Sequence, residues 1–161
     1  MVTVNCRLSR TADLPALLAI DQTIWNTQNS PGPVLARDLA SYVQSYPAGS
    51  QLVAEVAGQV LGMISWNPLP PFAAARYTWD IGIGVAKTAQ HQGVGHQLMQ
   101  ALKAAAREQG IHRIALRVLA TNHAARQFYA QQGFQVESVA REAFYLDGQF
   151  VDDYGLAYLL D

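Results

Sequence analysis

Apolar and polar residues alternate over residues 2–8, where Val2, Val4, Cys6 and Leu8 share one face, so the chain is predicted to open with a strand. The spacing then changes. Leu14, Leu17, Leu18 and Ile20 follow a helical period behind Asp13 and Pro15, a capping residue and a first-turn proline. Residues 26–33 (NTQNSPGP) are turn formers and predict a loop. A second helix is expected with Leu35, Leu39, Tyr42, Val43 and Tyr46 on one stripe, ended by Pro47, Ala48 and Gly49. Two β-rich runs, 51–57 and 60–66, stand either side of Gly58 and Gln59 and predict a tight hairpin. The proline-rich PLPPF after Asn67 cannot lie in a sheet.

Residues 77–85 (YTWDIGIGV) read as a strand whose Gly82 and Gly84 signal a bulge or the close approach of another backbone. From Val94 the recurrence of Leu98, Leu102 and Ala105 demands a helix, stopped by Gly110. Ile114, Leu116 and Val118 form the next strand, and Ala125, Phe128, Tyr129 and Gln132 lie on a helix closed by Gly133. Residues 134–139 and 141–146 continue as β, Asp147-Gly148 is a hairpin signal, and 149–160 make the last strand. The order β-α-α-β-β-β-α-β-α-β-β predicts a mixed α/β sheet with helices on its faces, as a single domain over residues 1–161.

Composition narrows the classes. Half of the 161 residues are hydrophobic and 14% are charged, which argues against disorder. A formal net charge of −1 gives no electrostatic reason to expect nucleic acid or an anionic membrane as partner. The single cysteine, Cys6, excludes a disulfide framework within the chain and reads as a small core residue. His91, His96, His112 and His123 fall at spacings that do not suggest a metal site, and no serine-hydrolase GxSxG occurs. With no signal-peptide pattern or membrane-length apolar run, the expectation is a soluble, cytoplasmic protein.

The strongest local signal is the strand YTWDIGIGV followed by QHQGVG at a helix start. Glycines there let a ligand approach the backbone, and the unpaired first-turn N–H groups with the helix dipole favour a phosphate. An ordinary tight strand-to-helix turn explains the spacing equally well. Neither a Walker loop nor GxGxxG is present, since Leu98 occupies the third glycine position.

Gln90-x-x-Gly93-x-Gly95 resembles the Gln/Arg-x-x-Gly-x-Gly/Ala signature of the GNAT superfamily, the acyl-CoA-dependent N-acyltransferases. Downstream, TNHAARQFYAQQGF (121–134) resembles the second signature of that family, matching at Asn122, Ala125, Phe128, Tyr129, Gly133 and Phe134. The segment FYLDGQFVDDYGLAYLL resembles the closing hairpin of amine-acetylating members, and the element order matches along essentially the whole chain.

The resemblance implies a fold with a mostly antiparallel sheet splayed at its middle, between the 79–85 and 113–118 strands, where pantetheine would lie. It implies that backbone groups near Ile83 and Val85 pair with pantetheine, and that the Gln92, Gly93, Val94, Gly95 and His96 amides take the pyrophosphate. It implies acetyl-CoA as cosubstrate, no metal, and direct attack by a primary amine in a ternary complex. Asn122 would contact the CoA arm, although it is also well placed to cap the helix that follows. Tyr129 would be the general acid for the departing thiolate, although a tyrosine beside Phe128 is ordinarily a core aromatic. Many members use a glutamate as base on the strand before the pyrophosphate loop. This chain offers Asp80 there, which could act directly, through a water, or simply be solvated; Glu142, Asp147 and Asp152 are lesser candidates.

By the same analogy the acceptor, a small molecule or a peptide amine, would meet Trp25, Asn26, Phe144, Tyr145 and Phe150, although these aromatics could equally be core. The family often forms homodimers, and the sequence leaves that open. Two readings of other classes remain: a catalytically silent acyl-CoA-binding or protein-interaction module on the same fold, and a dinucleotide-binding domain.

Overall fold

A computed structural model describes residues 2–32, 37–68 and 72–161. The strands are β1 (Asn5–Leu8), β2 (Gln51–Val56), β3 (Gln59–Pro68), β4 (Thr78–Val85), β5 (Arg113–Leu119), β6 (Gln135–Leu146) and β7 (Gln149–Leu159). The helices are α1 (Leu14–Ile24), α2 (Leu39–Ser45), α3 (Val94–Glu108) and α4 (His123–Gln131), and their order along the chain is the predicted one. The seven strands lie in the order β1-β2-β3-β4-β5-β7-β6, a mixed α/β fold whose described pairings are antiparallel except β4 with β5. No helix among the described residues is long and apolar enough to cross a membrane. By contact density the chain divides into two compact units.

The first unit comprises residues 1–24, 35–67 and 81–109. Its core contains Leu14, Leu17, Ile20 and Ile24 from α1, Tyr42 from α2, Val53 from β2 and Met63 from β3. Asp13 does not cap α1 directly. Its carboxylate closes a preceding 3-10 turn by accepting the Arg10 N–H at 2.7 Å, and it accepts two hydrogen bonds from Arg7 at 2.7 and 3.0 Å. The Arg7 guanidinium holds that carboxyl below its usual pKa and also bonds Glu55, tying β1 to β2. The opening strand begins at Asn5 rather than Val2. It stands first in the strand order, so Val2 and Leu8 remain exposed. The β2–β3 turn is Ala57-Gly58, with φ of 50° and 79°, one residue earlier than predicted. Asp38 caps α2 through the Ser41 N–H; Leu35 lies outside the described residues, as do residues 69–71 of PLPPF, while Pro68, expected outside the sheet, is the last residue of β3. On α3 the buried stripe runs through Leu98, Leu102 and Ala106 rather than Ala105.

The second unit comprises residues 25–34, 68–80 and 110–161. Ile114, Leu116 and Val118 of β5 are buried as the alternation requires. The two predicted runs of β6 form one strand, with register shifts after Val136 and after Ala140. Asp147 (φ 50°) and Gly148 (φ 80°) adopt the two left-handed conformations of a type I′ hairpin turn.

Candidate functional site

In the first unit, β4 passes through a 3-10 turn at Lys87–Ala89 before α3 begins. His91 and Gly93 both take left-handed backbone, with φ of 60° and 85°. Gly93 is the N-cap of α3 and, having no side chain, makes no side-chain cap hydrogen bond. There is no acidic side chain in the first turn either. The donors of Val94, Gly95 and His96 therefore stand at the positive end of a 15-residue helix, the arrangement that accommodates a pyrophosphate. The Gln90 and Gln92 side chains hold the turn itself: Gln90 Nε2 donates to the Val85 carbonyl at 3.1 Å and Gln92 Nε2 to the Thr88 carbonyl at 3.0 Å.

The direction of the β4 backbone follows from one bond. Ala86 N–H donates to the Leu61 carbonyl of β3 at 2.8 Å. Backbone groups alternate sides along a strand, so those of Ile81, Ile83 and Val85 point away from β3. The Val85 carbonyl is taken by Gln90, which leaves its N–H on that side.

The glycines of this region serve packing more than the approach of a second backbone. A Cβ at Gly84 would stand 2.5 Å from Ile24 Cδ1 and 3.0 Å from Met63 Sδ. One at Gly62 would stand 3.2 Å from the Gly84 carbonyl oxygen and 3.1 Å from Leu98 Cδ1 of α3. Gly82 has only Ser65 Oγ near it, at 3.5 Å.

In the second unit, Asn122 caps α4: its side-chain oxygen accepts the Ala125 N–H at 3.2 Å. Tyr129 lies on that helix, 7% exposed, edge-on to Phe128 and Phe134 with ring centroids 5.3 and 5.6 Å away. Burial pushes its phenol pKa well above the ordinary value, and among the described residues no hydrogen bond reaches its hydroxyl. Tyr129 is a core aromatic whose hydroxyl has no fixed partner among the described residues.

Asp80 follows the buried Trp79 on β4 and is exposed on the opposite face, level with Ala115 of the parallel strand β5. The register of these two strands covers three pairs and ends at Asp80 and Ala115. Partial removal from water raises the Asp80 carboxyl pKa, while the positive charge of Arg117 pulls it down. Among the described residues no hydrogen bond or ion pair closes on Asp80. Of the lesser carboxylates, Asp152 and Asp147 are committed to local structure. Asp152 accepts the N–H of Glu142, a residue held at φ 50°, at 2.7 Å. Asp147 accepts the Thr27 hydroxyl at 2.6 Å.

That bond and the Thr121 hydroxyl on the Gln28 carbonyl at 3.1 Å fasten the 25–32 loop to the end of β5 and the tip of the last hairpin. Asn26 is engaged within the loop, its side chain accepting the Gln28 N–H. Trp25, Tyr145 and Phe150 are exposed, the latter two 5.1 Å apart edge to face, and Phe144 is half-buried.

Sequence reasoning missed the pair next to Asp80. Arg117 shares a face of β5 with Ala115, and its Nε donates to Asp153 Oδ2 of β7 at 2.5 Å. The available signal was parity: Arg117 sits between the core residues Leu116 and Val118, so it had to point the other way.

Residues 15–134 match the family model described as the acetyltransferase (GNAT) family. The chain is 29% identical to an L-methionine sulfoximine/L-methionine sulfone acetyltransferase of Pseudomonas paraeruginosa, over 94% of this chain and 91% of that protein. Among solved structures, the protein smu.2055 of Streptococcus mutans superposes with a TM-score of 0.90 at 25% identity, covering 98% of this chain and 99% of the other. A putative acetyltransferase of Salmonella typhimurium, solved with its cofactor acetyl-CoA, has the same fold, with a TM-score of 0.83 at 24% identity over 98% and 94% of the two chains. With its two glycine-bearing signatures inside the matched span, this chain belongs to the GNAT family and is an N-acetyltransferase.

Proposed function

We propose that residues 1–161 act as one catalytic domain that moves the acetyl group of acetyl-CoA to a small primary amine, by direct attack in a ternary complex. The observation that carries this reading is the placement of Tyr129 on α4, its ring packed against Phe128 and Phe134 and its hydroxyl without a fixed partner among the described residues, at the position where the family signature places it. A binding module needs no unpartnered proton donor there; a transferase does.

The amine reaches the thioester as a free base, because an ammonium of pKa ~10.4 has no lone pair to give. Asp80 accepts the proton, directly or through a water. The amine nitrogen then bonds the thioester carbon and the carbonyl oxygen takes up negative charge. The N–H of Val85 donates to that oxygen, where a fixed donor contributes most as the charge grows. Collapse breaks the C–S bond, Tyr129 protonates the departing thiolate, and the second proton lost from the nitrogen as the amide forms returns through solvent to the phenolate. The backbone of Ile83 and Val85 supports pairing with pantetheine, and the first turn of α3 supports binding of the pyrophosphate through the amides of Gln92, Gly93, Val94, Gly95 and His96. Asn122 acts through its cap, which orients the helix carrying Tyr129, and through the side-chain contact with the CoA arm that the family signature assigns to it.

The acceptor class is supported by the Pseudomonas relative, whose name specifies two α-amino acids. Release of CoA from acetyl-CoA, followed with a thiol reagent across a panel of primary amines, tests the reading. Release that depends on the added amine supports it, and binding of CoA with no amine-dependent release leaves a silent module.

A further inference from the structure

We infer that Arg117 anchors a carboxylate on the acceptor, so that the enzyme selects amines bearing a carboxylate close to the nitrogen, as in an α-amino acid. The inference rests on the reading of Asp80 as the group that meets the amine.

Register places the two side chains together. Asp80 pairs with Ala115 in the parallel β4–β5 ladder, and Arg117 is two residues further along β5 on the same face. Strand spacing and rise put their Cα atoms roughly 8 Å apart, within reach of one small zwitterion for side chains of these lengths. Their charges match its two ends: ammonium to Asp80, carboxylate to Arg117.

The guanidinium is held but not used up. Asp153, whose side chain is 8% exposed, fixes Nε at 2.5 Å, while the Arg117 side chain remains 55% exposed. Among the described residues no other hydrogen bond engages its two terminal nitrogens. An arginine oriented through Nε presents those nitrogens as a fork, the geometry that binds a carboxylate with two parallel bonds. The neighbouring arginines are differently occupied. Arg113 pairs with Glu137, Arg76 donates to the Ala73 carbonyl and the Tyr77 hydroxyl, and Arg126 donates to the Ala120 carbonyl and covers the Tyr154 ring. Across from Arg117 on β7 stands Gly155. A Cβ there would lie 3.8 Å from Arg117 Nη1 and collide with Ser138 Oγ, so the glycine keeps the surface beside the guanidinium low.

Among the described residues the charged groups placed on this face by register and ion pairing are Arg117 and Arg113 of β5, Asp153 of β7 and Glu137 of β6. Two ion pairs cancel within that set. Asp80 remains as the unmatched charge, which suits an ammonium at its end of the site.

The test compares an amino acid with its own carboxamide, which keeps the amine and side chain and removes the negative charge. The acceptor is the best substrate among L-methionine sulfone, L-methionine sulfoximine and the common L-amino acids. In the wild type, amidation should lower kcat/KM by about 10- to 100-fold, chiefly through KM, as expected for losing a charge-assisted pair. In Arg117→Gln the ratio of acid to amide should fall to near one, and Arg117→Lys should restore part of it. A merely structural Arg117 would change both substrates alike and leave the ratio intact, which would overturn the inference. Equal rates for acid and amide in the wild type would overturn it without any variant, as would transfer to simple amines but to no amino acid. Absence of transfer to every amine would instead remove the acetyltransfer reading beneath it.

Discussion

Replacing Tyr129 with phenylalanine separates chemistry from packing more cleanly than any other change in this chain. The ring is 7% exposed and makes edge-to-face contacts with Phe128 and Phe134, all of which phenylalanine retains. The hydroxyl has no hydrogen-bond partner among the described residues, so its removal strands no other polar group. With the ring packing kept and no partner stranded, the variant should match the wild type in stability. Catalysis should respond in the opposite sense. Losing a positioned general acid costs ~10²–10⁴ in rate, or about 3–5 kcal/mol on the barrier. Burial raises the phenol pKa, so the donor stays protonated through neutral and mildly alkaline pH, and Tyr129 should contribute no alkaline limb to wild-type kcat there. The assay is single-turnover thiol release at saturating acetyl-CoA and amine, read beside the melting temperature and the affinity for acetyl-CoA. A folded Tyr129→Phe protein with near-normal kcat, where chemistry limits turnover, would refute the assignment and return Tyr129 to the core.

Asp80→Asn should depress turnover at neutral pH and recover as pH rises toward the acceptor's own pKa, because more amine is then already neutral; the wild-type acid limb, set by a carboxyl raised by desolvation, should vanish from kcat/KM. A mutant pH–rate profile identical to wild type would mean that another group removes the proton. Gly95→Asp introduces a side chain and a negative charge at the α3 N-terminus, and calorimetry should show CoA affinity falling by at least about 10-fold in a folded protein. Gly84→Ala drives a Cβ to 2.5 Å from Ile24 Cδ1 and should destabilise by about 1–3 kcal/mol in urea unfolding. Adding Ile24→Val, which deletes that Cδ1, should make the double variant more stable than the sum of the two single changes, and strict additivity would locate the strain elsewhere.

Much of the fold was legible because its periodicities are clean. Ile114, Leu116 and Val118 alternate as a strand buried on one face, and Leu98 and Leu102 mark the α3 stripe. Asp147-Gly148 announced its turn because both residue types tolerate left-handed backbone. The β2–β3 turn was placed one residue late because Ala57 adopts φ 50° with no local preference for it. The site divides similarly. Gly93, Gly95, Asn122 and Tyr129 stand out as candidates because a local motif carries each of them. Arg117 and Asp153 are 36 residues apart, and only the β5–β7 register joins them. The tasks of Gln90 and Gln92, which brace the turn with their side chains, depend on a backbone path that spacing does not encode.

The most direct test of the central claim is the fate of the acetyl group. Incubated with acetyl-CoA labelled in the acetyl carbon and an amine acceptor, the enzyme should move label into an N-acetylated product in one-to-one proportion with CoA released, with neither appearing when the amine is omitted. Label recovered as free acetate at a rate indifferent to the amine, or retained on CoA whatever amine is supplied, would contradict it.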